Sequence, residues 1–277
     1  MACLFPINLK RGDYGDIVPC GKCINCIQKK RADWSFRLLQ EQKNSILSTF
    51  LTLTYNEENI PKRSERSIYK KDQSQKYIPN KSELQRYFKR VRVKEKGLKY
   101  YAVAEYGCKL GRPHYHAIVF NCDNSTLVRE WRNVETGDAL GFVTTDQVTE
   151  ASIHYVTGYI IDKMGDVQEN GKIKNTWSID DIRPFALMSK GLGKIYLKHN
   201  TKFHKKNFTK ITIKEGGIKQ QLPRYLVEKI FNENERKELA INLVEEIKRK
   251  KISLEEEKQR LDYKIEKIKF TKKLKTL

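Results

Sequence analysis

The sequence lacks the patterns that mark membrane and secreted proteins. No stretch approaches the roughly 18 to 20 apolar residues that a membrane-spanning helix needs, and no apolar run near the N-terminus precedes a small-residue cleavage site. It also has no repeat of fixed period and no long low-complexity tract, so nothing in it indicates a repeat architecture. We therefore expect a soluble, intracellular protein whose six cysteines are reduced.

Acidic residues are scarce relative to basic ones. The 277 residues include 55 Lys and Arg but only 34 Asp and Glu, which gives a formal charge of +21. Such an excess repels itself unless an anionic partner is near, so nucleic acid is the leading partner and a membrane surface the second. The 14 tyrosines and 11 phenylalanines suit stacking on unpaired bases as well as core packing. Composition alone does not separate these two uses.

The character of the sequence changes along the chain and predicts three parts. Residues 1–45 form a segment rich in Cys, Gly and Pro followed by a helix. Residues 46–200 alternate strand and helix patterns and are expected to form the core domain. Residues 201–277 are a basic linker and a charged helical tail, either a solvated face or a partner-binding helix. The basic stretch 183–199 contains glycines at positions 191 and 193, too little to predict a phosphate-binding loop.

The core part combines strand and helix patterns. Ser48–Tyr55 alternates β-branched and aromatic residues and predicts a strand, and Asn80–Val93 predicts a helix capped by Asn80. Leu98–Glu105 and His114–Phe120 predict two strands joined by a short loop with two glycines, which is typical of a hairpin. Further elements are predicted at 125–133 (helix), 142–148 (strand) and 152–164 (helix). The expected fold is therefore α+β, with a central antiparallel sheet flanked by helices and a ferredoxin-like or palm-like core.

Two histidines one residue apart are a candidate metal site. An extended strand sends alternate side chains to one face, so His114 and His116 point the same way. If the hairpin pairs Glu105 with His114, the carboxylate joins them, because opposed Cβ atoms lie about 4.5 to 5.5 Å apart. A slip of one residue would place Glu105 on the other face. Two imidazoles and a carboxylate suit Mg²⁺ or Mn²⁺; the alternative is a half-exposed strand face without metal.

Two tyrosines four residues apart are candidate nucleophiles. On a helix Tyr155, Tyr159 and Lys163 share one side. A phenolate that attacks phosphorus forms a covalent phosphotyrosine ester. The ordinary tyrosine pKa near 10 requires assistance, which Lys163 or a metal can give. The alternative is that both tyrosines are core residues whose hydroxyls reach the surface.

Four cysteines near the N-terminus form a second candidate metal site. Cys20, Cys23 and Cys26 are spaced three apart, and Cys3 can supply a fourth sulfur to Zn²⁺. In a reducing compartment such a cluster favours metal over disulfides. The alternative is a loop of reduced thiols.

Four ordered motifs in residues 1–200 together resemble a known family. They are Pro-Cys-Gly-Lys-Cys-x-x-Cys, Phe-Leu-Thr-Leu-Thr-Tyr, Ala-Glu-Tyr-Gly followed by Gly-Arg-Pro-His-Tyr-His, and Tyr-Val-Thr-Gly-Tyr-Ile-Ile-Asp-Lys. The chain resembles the replication initiation proteins of gokushovirus-type microviruses, which belong to the HUH endonuclease superfamily. Tyr115, between the histidines, departs from the bulky aliphatic residue of that superfamily, but it faces away from the ligands.

The resemblance implies a rolling-circle initiator that nicks the viral origin and becomes linked to the 5′ end. It implies His114 and His116 as metal ligands, Tyr155 and Tyr159 as nucleophiles and Lys163 as an accessory group. The implied partners are single-stranded or origin DNA and a host replication helicase or polymerase, in the host cell cytoplasm and without a membrane. Two alternatives stay open: a non-enzymatic single-stranded-DNA-binding protein, and a plasmid initiator or transposase of the same superfamily.

Overall fold

The chain forms two compact units in its structure, a computed structural model. The structure describes residues 3–9, 16–63, 77–107, 110–162, 166–174, 182–213, 217, 219–249 and 254–276. The first unit comprises Met1–Glu41, Val167–Ile173 and Gly193–Thr271, and the second comprises Gln42–Asp166, Lys174–Leu192 and Lys272–Leu277. Within the described ranges, no helix has the length and apolar character required to cross a membrane.

Helices and strands alternate along most of the chain. The helices are α1 (Ile24–Gln42), α2 (Lys81–Lys94), α3 (Asn124–Arg129), α4 (Glu150–Asp162), α5 (Tyr196–Lys206), α6 (Arg224–Ile230), α7 (Glu233–Arg249) and α8 (Leu254–Thr276). The strands are β1 (Ile7–Leu9), β2 (Asp16–Val18), β3 (Ser48–Thr54), β4 (Lys99–Tyr106), β5 (Pro113–Phe120), β6 (Val143–Gln147), β7 (Asp166–Val167), β8 (Ile173–Lys174), β9 (Ala186–Met188), β10 (Ile211–Ile213) and β11 (Lys219–Gln221).

The second unit is built on a five-stranded sheet with the order β6-β3-β5-β4-β9. Every neighbouring pair is antiparallel. Because β3 and β4 both pair antiparallel with β5, they run parallel to each other on either side of it, and α2 connects them. This is the split β-α-β arrangement of ferredoxin-like cores. The predicted α+β fold with a central antiparallel sheet is confirmed.

One face of this sheet packs against α2. Asn80 caps the helix, since its side chain accepts a hydrogen bond of 3.0 Å from the backbone N–H of Glu83. The ring of Phe88 stacks on that of Tyr100 with centroids 3.6 Å apart. The buried side chains of this layer, contributed by helix and strands, include Leu51, Leu53, Leu84, Tyr87, Phe88, Val91, Ala102, Tyr115, Ala117 and Val119. Their burial supplies the main hydrophobic stabilisation of the unit.

The opposite face of the sheet packs against α4. Alternation along β5 sends His114 and His116 to this face and Tyr115 to the α2 layer. The Tyr115 hydroxyl accepts a 2.8 Å hydrogen bond from the Asn80 backbone N–H and lies 3.1 Å from the hydroxyl of Tyr55. The strand that carries the histidines is therefore fixed from behind by a polar anchor at the start of α2.

The first unit contains two small hydrophobic cores. One joins Phe36 of α1 to the C-terminal part of the chain, with Tyr196, Leu222, Leu226, Ile230, Phe231 and Leu239. The other joins Ile24 to Val167 and Ile265, with Leu4, Ile173, Leu261 and Ile268 packed against them. The charged tail is helical as predicted, but part of it is packed and not wholly solvated.

Candidate metal and nucleophile site

A β-hairpin positions the three candidate metal ligands. β4 and β5 pair so that Glu105 lies directly opposite His114, the register that the sequence predicted. The loop is closed by a 2.9 Å hydrogen bond from the Gly107 N–H to the carbonyl oxygen of Arg112. Gly111 has φ +60°, a left-handed conformation that glycine adopts without strain. The turn therefore fixes the register on which the site depends.

The ligand atoms converge on one side of the sheet. The Nε2 atom of His114 lies 3.2 Å from Oε2 of Glu105, and Nε2 of His116 lies 3.4 Å from the same oxygen. All three ligand atoms are within 4.8 Å of one another. The convergence of Glu105, His114 and His116 expected from the strand pattern is thus present in the structure.

Hydrogen bonds on the far side of each imidazole orient the rings. The Nδ1 atom of His114 lies 3.3 Å from the carbonyl oxygen of Arg112. A carbonyl only accepts, so this contact places the proton on Nδ1 and leaves the Nε2 lone pair free for a metal. His116 Nδ1 lies 3.0 Å from Oγ1 of Thr52, on the neighbouring strand β3. Both rings are therefore held from behind, as metal-binding histidines usually are.

The spacing of the three atoms fits a single divalent cation. Ligands about 2.1 Å from an ion lie about 3.0 Å apart at octahedral angles and about 3.4 Å apart at tetrahedral angles. The observed separations of 3.2 and 3.4 Å fall in this range. One carboxylate and two imidazoles leave coordination positions for water or a phosphate oxygen. The donor set fits Mg²⁺ or Mn²⁺ and does not by itself select between them.

The charge of Glu105 is maintained by its neighbours. Burial acts to raise its pKa, but hydrogen bonds and charge from His114 and His116 outweigh burial and hold the pKa below its ordinary value. The carboxylate therefore stays ionised to a lower pH than an ordinary glutamate. An ionised carboxylate is the form that binds a metal.

Helix α4 brings both tyrosines to the metal ligands. The hydroxyl of Tyr159 donates a hydrogen bond to the Glu105 carboxylate and lies 2.6 Å from the hydroxyl of Tyr155. Their side chains differ in exposure: Tyr155 is 40% exposed, whereas Tyr159 is 2% exposed. The Tyr159 ring stacks on His116 with centroids 6.1 Å apart. The two phenols and the three ligands form one continuous cluster.

A cleft opens beside His114. Its volume is about 350 Å³, and it is lined by Thr54, Tyr55, Gly107, Leu110, Arg112, Pro113 and His114. The side chain of Leu110 is 73% exposed, while Arg112 donates a 3.0 Å hydrogen bond to the Tyr55 carbonyl oxygen and pairs with Glu57. The cleft therefore offers an apolar surface and a fixed cation next to a candidate ligand.

The structure adds residues that sequence patterns did not single out. Thr52 holds His116, and Phe50 stacks against the same ring with centroids 5.6 Å apart. Both lie on the site face of β3, so strand alternation was the signal that could have found them. Lys163 lies outside the described residues and stays a prediction from the sequence. The Gly193 N–H donates to the Glu41 carboxylate at 2.7 Å, so this amide does not offer an anion site.

The four N-terminal cysteines also converge, within the first unit. Their sulfur atoms all lie within 4.8 Å of one another. Cys3 and Cys23 have sulfurs 3.9 Å apart, and those of Cys20 and Cys26 are 4.0 Å apart. Burial acts to raise the Cys20 pKa, but hydrogen bonds from backbone N–H groups outweigh it and lower the pKa to about 7. The grouping expected from the spacing is present, and the bound metal stays a prediction.

A family of viral replication proteins matches the part of the chain that carries this site. Residues 48–164 match the family model of the replication-associated protein ORF2. That segment contains all three candidate metal ligands and both tyrosines.

Curated relatives extend the match over more of the chain. Replication-associated protein ORF2 of Spiroplasma virus 4 is 27% identical over 264 residues, covering 81% of this chain and 79% of that protein. Replication-associated protein VP4 of Bdellovibrio phage phiMH2K is 25% identical over 262 residues, covering 81% of this chain and 76% of that protein. Replication-associated protein ORF4 of Chlamydia phage 1 is 28% identical, over 52% of this chain and 37% of that protein. The resemblance to replication-associated proteins of microviruses is confirmed.

A solved structure, that of the hypothetical protein ORF119 from Sulfolobus islandicus rod-shaped virus 1, shows a weaker likeness. It covers 48% of this chain and 95% of that chain, with 15% sequence identity and a TM-score of 0.31. A likeness of this degree supports no inference about function.

Proposed function

We propose that this protein initiates rolling-circle replication by nicking an origin DNA strand with a tyrosine and later rejoining it. The observation that carries the proposal is the contact between the Tyr159 hydroxyl and the Glu105 carboxylate, which both candidate histidine ligands also contact. The names of the relatives support a role in viral DNA replication. The excess of basic residues, with a formal charge of +21, supports DNA as the partner.

The reaction is a displacement at phosphorus. The phenolic oxygen of a tyrosine forms a bond to phosphorus while the bond between phosphorus and the 3′ oxygen breaks. The 5′ phosphate remains on the tyrosine, and the 3′ oxygen gains a proton and leaves as a hydroxyl. In the reverse direction a 3′ hydroxyl attacks the phosphotyrosine, so the strand is rejoined without an external energy source.

The residues around the phosphate divide the work. A Mg²⁺ or Mn²⁺ ion held by Glu105, His114 and His116 would polarise the scissile phosphate and offset its developing charge. Thr52 and the Arg112 carbonyl keep the two imidazoles oriented. Glu105 orients the Tyr159 hydroxyl by accepting its hydrogen bond. The cleft of about 350 Å³ has the size of a small-ligand pocket and is suited to a nucleotide next to the cleaved bond.

The different exposure of the two tyrosines supports a division between two cleavage events. Tyr155 is 40% exposed and is placed to meet an incoming strand, whereas Tyr159 is 2% exposed and lies behind it. In this proposal Tyr155 attacks the first strand, and Tyr159 attacks the second junction after the first link has formed. Two adjacent nucleophiles allow one link to persist while another forms, which the release of a closed circle requires.

A covalent-adduct assay tests the proposal. Overlapping labelled single-stranded oligonucleotides from the replicon that encodes the protein are incubated with it and Mn²⁺, then separated under denaturing conditions. We expect one oligonucleotide to yield a denaturation-resistant protein-DNA adduct, which Tyr155→Phe greatly reduces and a Tyr155→Phe, Tyr159→Phe double variant abolishes. Tyr263→Phe, the same change at a tyrosine that is 64% exposed on α8, is the matched control and should keep full yield.

The outcomes separate the alternatives. An adduct of unchanged yield in the double variant would refute the assignment of the nucleophiles. Tight binding of single strands without any adduct would favour a non-enzymatic binding protein. Normal nicking at sites flanking a mobile element or in a plasmid origin would favour a transposase or plasmid initiator, and the genes around this one decide between them. A host helicase or polymerase partner, and action in the host cytoplasm, stay predictions.

A further inference from the structure

The four-cysteine cluster of the first unit is not used by the proposed nicking reaction. We propose that Cys3, Cys20, Cys23 and Cys26 bind one structural Zn²⁺ ion. The proposal is independent of the nicking reaction, because it concerns a separate group of ligands with a different role.

The sulfur separations match a tetrahedral metal site. A Zn–S distance of about 2.3 Å places neighbouring sulfurs of a tetrahedron about 3.8 Å apart. The separations of 3.9 Å for Cys3 and Cys23 and 4.0 Å for Cys20 and Cys26 are close to this value. A disulfide would instead require about 2.05 Å, and all four cysteines are free thiols in the structure.

Backbone hydrogen bonds to sulfur support thiolate ligands. The Sγ atom of Cys20 accepts hydrogen bonds from the backbone N–H groups of Lys22 at 3.4 Å and Cys23 at 3.3 Å. The Cys20 N–H donates to Sγ of Cys3 at 3.2 Å. Gly21, with φ +71°, makes the turn that points these N–H groups at the sulfur. Donors aimed at sulfur stabilise its negative charge and offset the excess charge of four thiolates around a divalent ion.

The number and type of ligands indicate a structural site. Four thiolates fill the tetrahedral coordination of Zn²⁺ and leave no position for water or substrate, as in closed structural zinc sites. The alternative of a bare thiol cluster leaves four sulfurs in contact with no partner to hold them together. Structural zinc contributes directly to folding stability, because the unfolded chain does not hold the ligands in place.

The position of the ligands indicates what the ion stabilises. Leu4 and Ile24 directly follow Cys3 and Cys23 in sequence, and both pack in the small core that includes Leu261 and Ile265 of α8. The Ile24 N–H also donates a 3.0 Å hydrogen bond to the carbonyl oxygen of Gly171. By tying Cys3 to the start of α1, the ion would hold Leu4 and Ile24 side by side as the seat for α8.

Metal analysis of the full-length protein tests the site. Elemental analysis for zinc and iron should find one zinc per chain in the unaltered protein and in a His114→Ala, His116→Ala double variant, which separates this site from the proposed catalytic metal. Cys20→Ser and Cys26→Ser should each reduce bound zinc to near zero. Cys122→Ser is the matched control, because Cys122 is a buried free thiol outside the cluster, and it should retain one zinc.

A spectroscopic measurement on the unaltered chain covers the case in which the variants fail to fold. Co²⁺ added to zinc-stripped protein should give sulfur-to-cobalt charge-transfer absorption and the strong visible bands of tetrahedral thiolate cobalt, and Zn²⁺ should abolish both. Absence of zinc together with absence of this spectrum would overturn the proposal. Iron in place of zinc, or full zinc retention in both cysteine variants, would also overturn it.

Limited proteolysis tests the role in seating α8. Trypsin should cut the metal-stripped protein within α8, for example after the exposed Arg260, faster than the zinc-bound protein. Readdition of Zn²⁺ should restore resistance. If the rate of cleavage in α8 is the same with and without zinc, the ion does not hold that helix.

Discussion

Thr52 is the residue whose substitution tests the metal site most sharply. It contacts neither the ligand carboxylate nor a tyrosine in the contacts described above, but its Oγ1 lies 3.0 Å from Nδ1 of His116. Thr52→Val removes this hydroxyl and keeps a β-branched side chain of similar size, so the strand and its packing should persist. The expected result is weaker binding of Mn²⁺ with little change in the fold.

The magnitude follows from the role of this hydrogen bond. Without Thr52 the His116 ring loses the partner that fixes its orientation and its tautomer. Loss of such a partner typically lowers metal affinity by about 10- to 100-fold, which corresponds to about 1.4 to 2.8 kcal/mol. The effect should appear in the dissociation constant for Mn²⁺, because the Nε2 atom that binds the ion is itself unchanged.

Isothermal titration with Mn²⁺ measures the effect, and circular dichroism checks the fold. Thr144→Val is the matched control: Thr144 pairs directly with Thr52 in the sheet, but its side chain is exposed. The control should bind Mn²⁺ as the unaltered protein does. Equal affinities for Thr52→Val, Thr144→Val and the unaltered protein would refute the idea that Thr52 positions a metal ligand.

Three further predictions concern the site and the sheet behind it. Glu105→Gln should weaken Mn²⁺ binding in the same titration, because an amide replaces the only carboxylate of the ligand set; unchanged affinity would remove Glu105 from the site. Phe88→Ala, at a fully buried ring stacked on Tyr100, should lower the free energy of unfolding in urea by about 3 to 5 kcal/mol, and a loss below about 1 kcal/mol would contradict the packing described. Burial raises the pKa of Tyr115 to about 12, above about 10 in the unfolded chain, so its stabilising contribution is present below pH 10 and is lost as the pH rises through 12. Alkaline unfolding of Tyr115→Phe should lack this part of the loss, and identical pH profiles for the two proteins would contradict it.

The central elements could be predicted because their patterns are local. The strand predicted at Ser48–Tyr55 is observed at Ser48–Thr54, and the helix predicted at Asn80–Val93 is observed at Lys81–Lys94 with the expected cap. The register of the hairpin also followed from the sequence, since two glycines in a short connection leave few ways to join the strands. The placement of Glu105 beside His114 was therefore predictable.

Other features depend on contacts that no local pattern reveals. The strand Ala186–Met188 has three residues, too few for a periodicity, and it forms by pairing with β4. Its presence in a basic stretch was missed. The packing of the C-terminal part of the chain with α1 joins residues about 200 positions apart, such as Phe36 and Leu239. The hydroxyl contact between Tyr159 and Glu105 is likewise set by how α4 docks on the sheet.

All three candidate metal ligands belong to one hairpin, and this has a consequence for the order of assembly. The hairpin closes a short loop, so its entropic cost is small and it can form early in folding. The tyrosines lie about 40 residues further along and reach the site only when α4 docks. A chain still folding could therefore bind a metal ion before it has a nucleophile in place. Such an order would keep immature copies of the protein from cutting DNA.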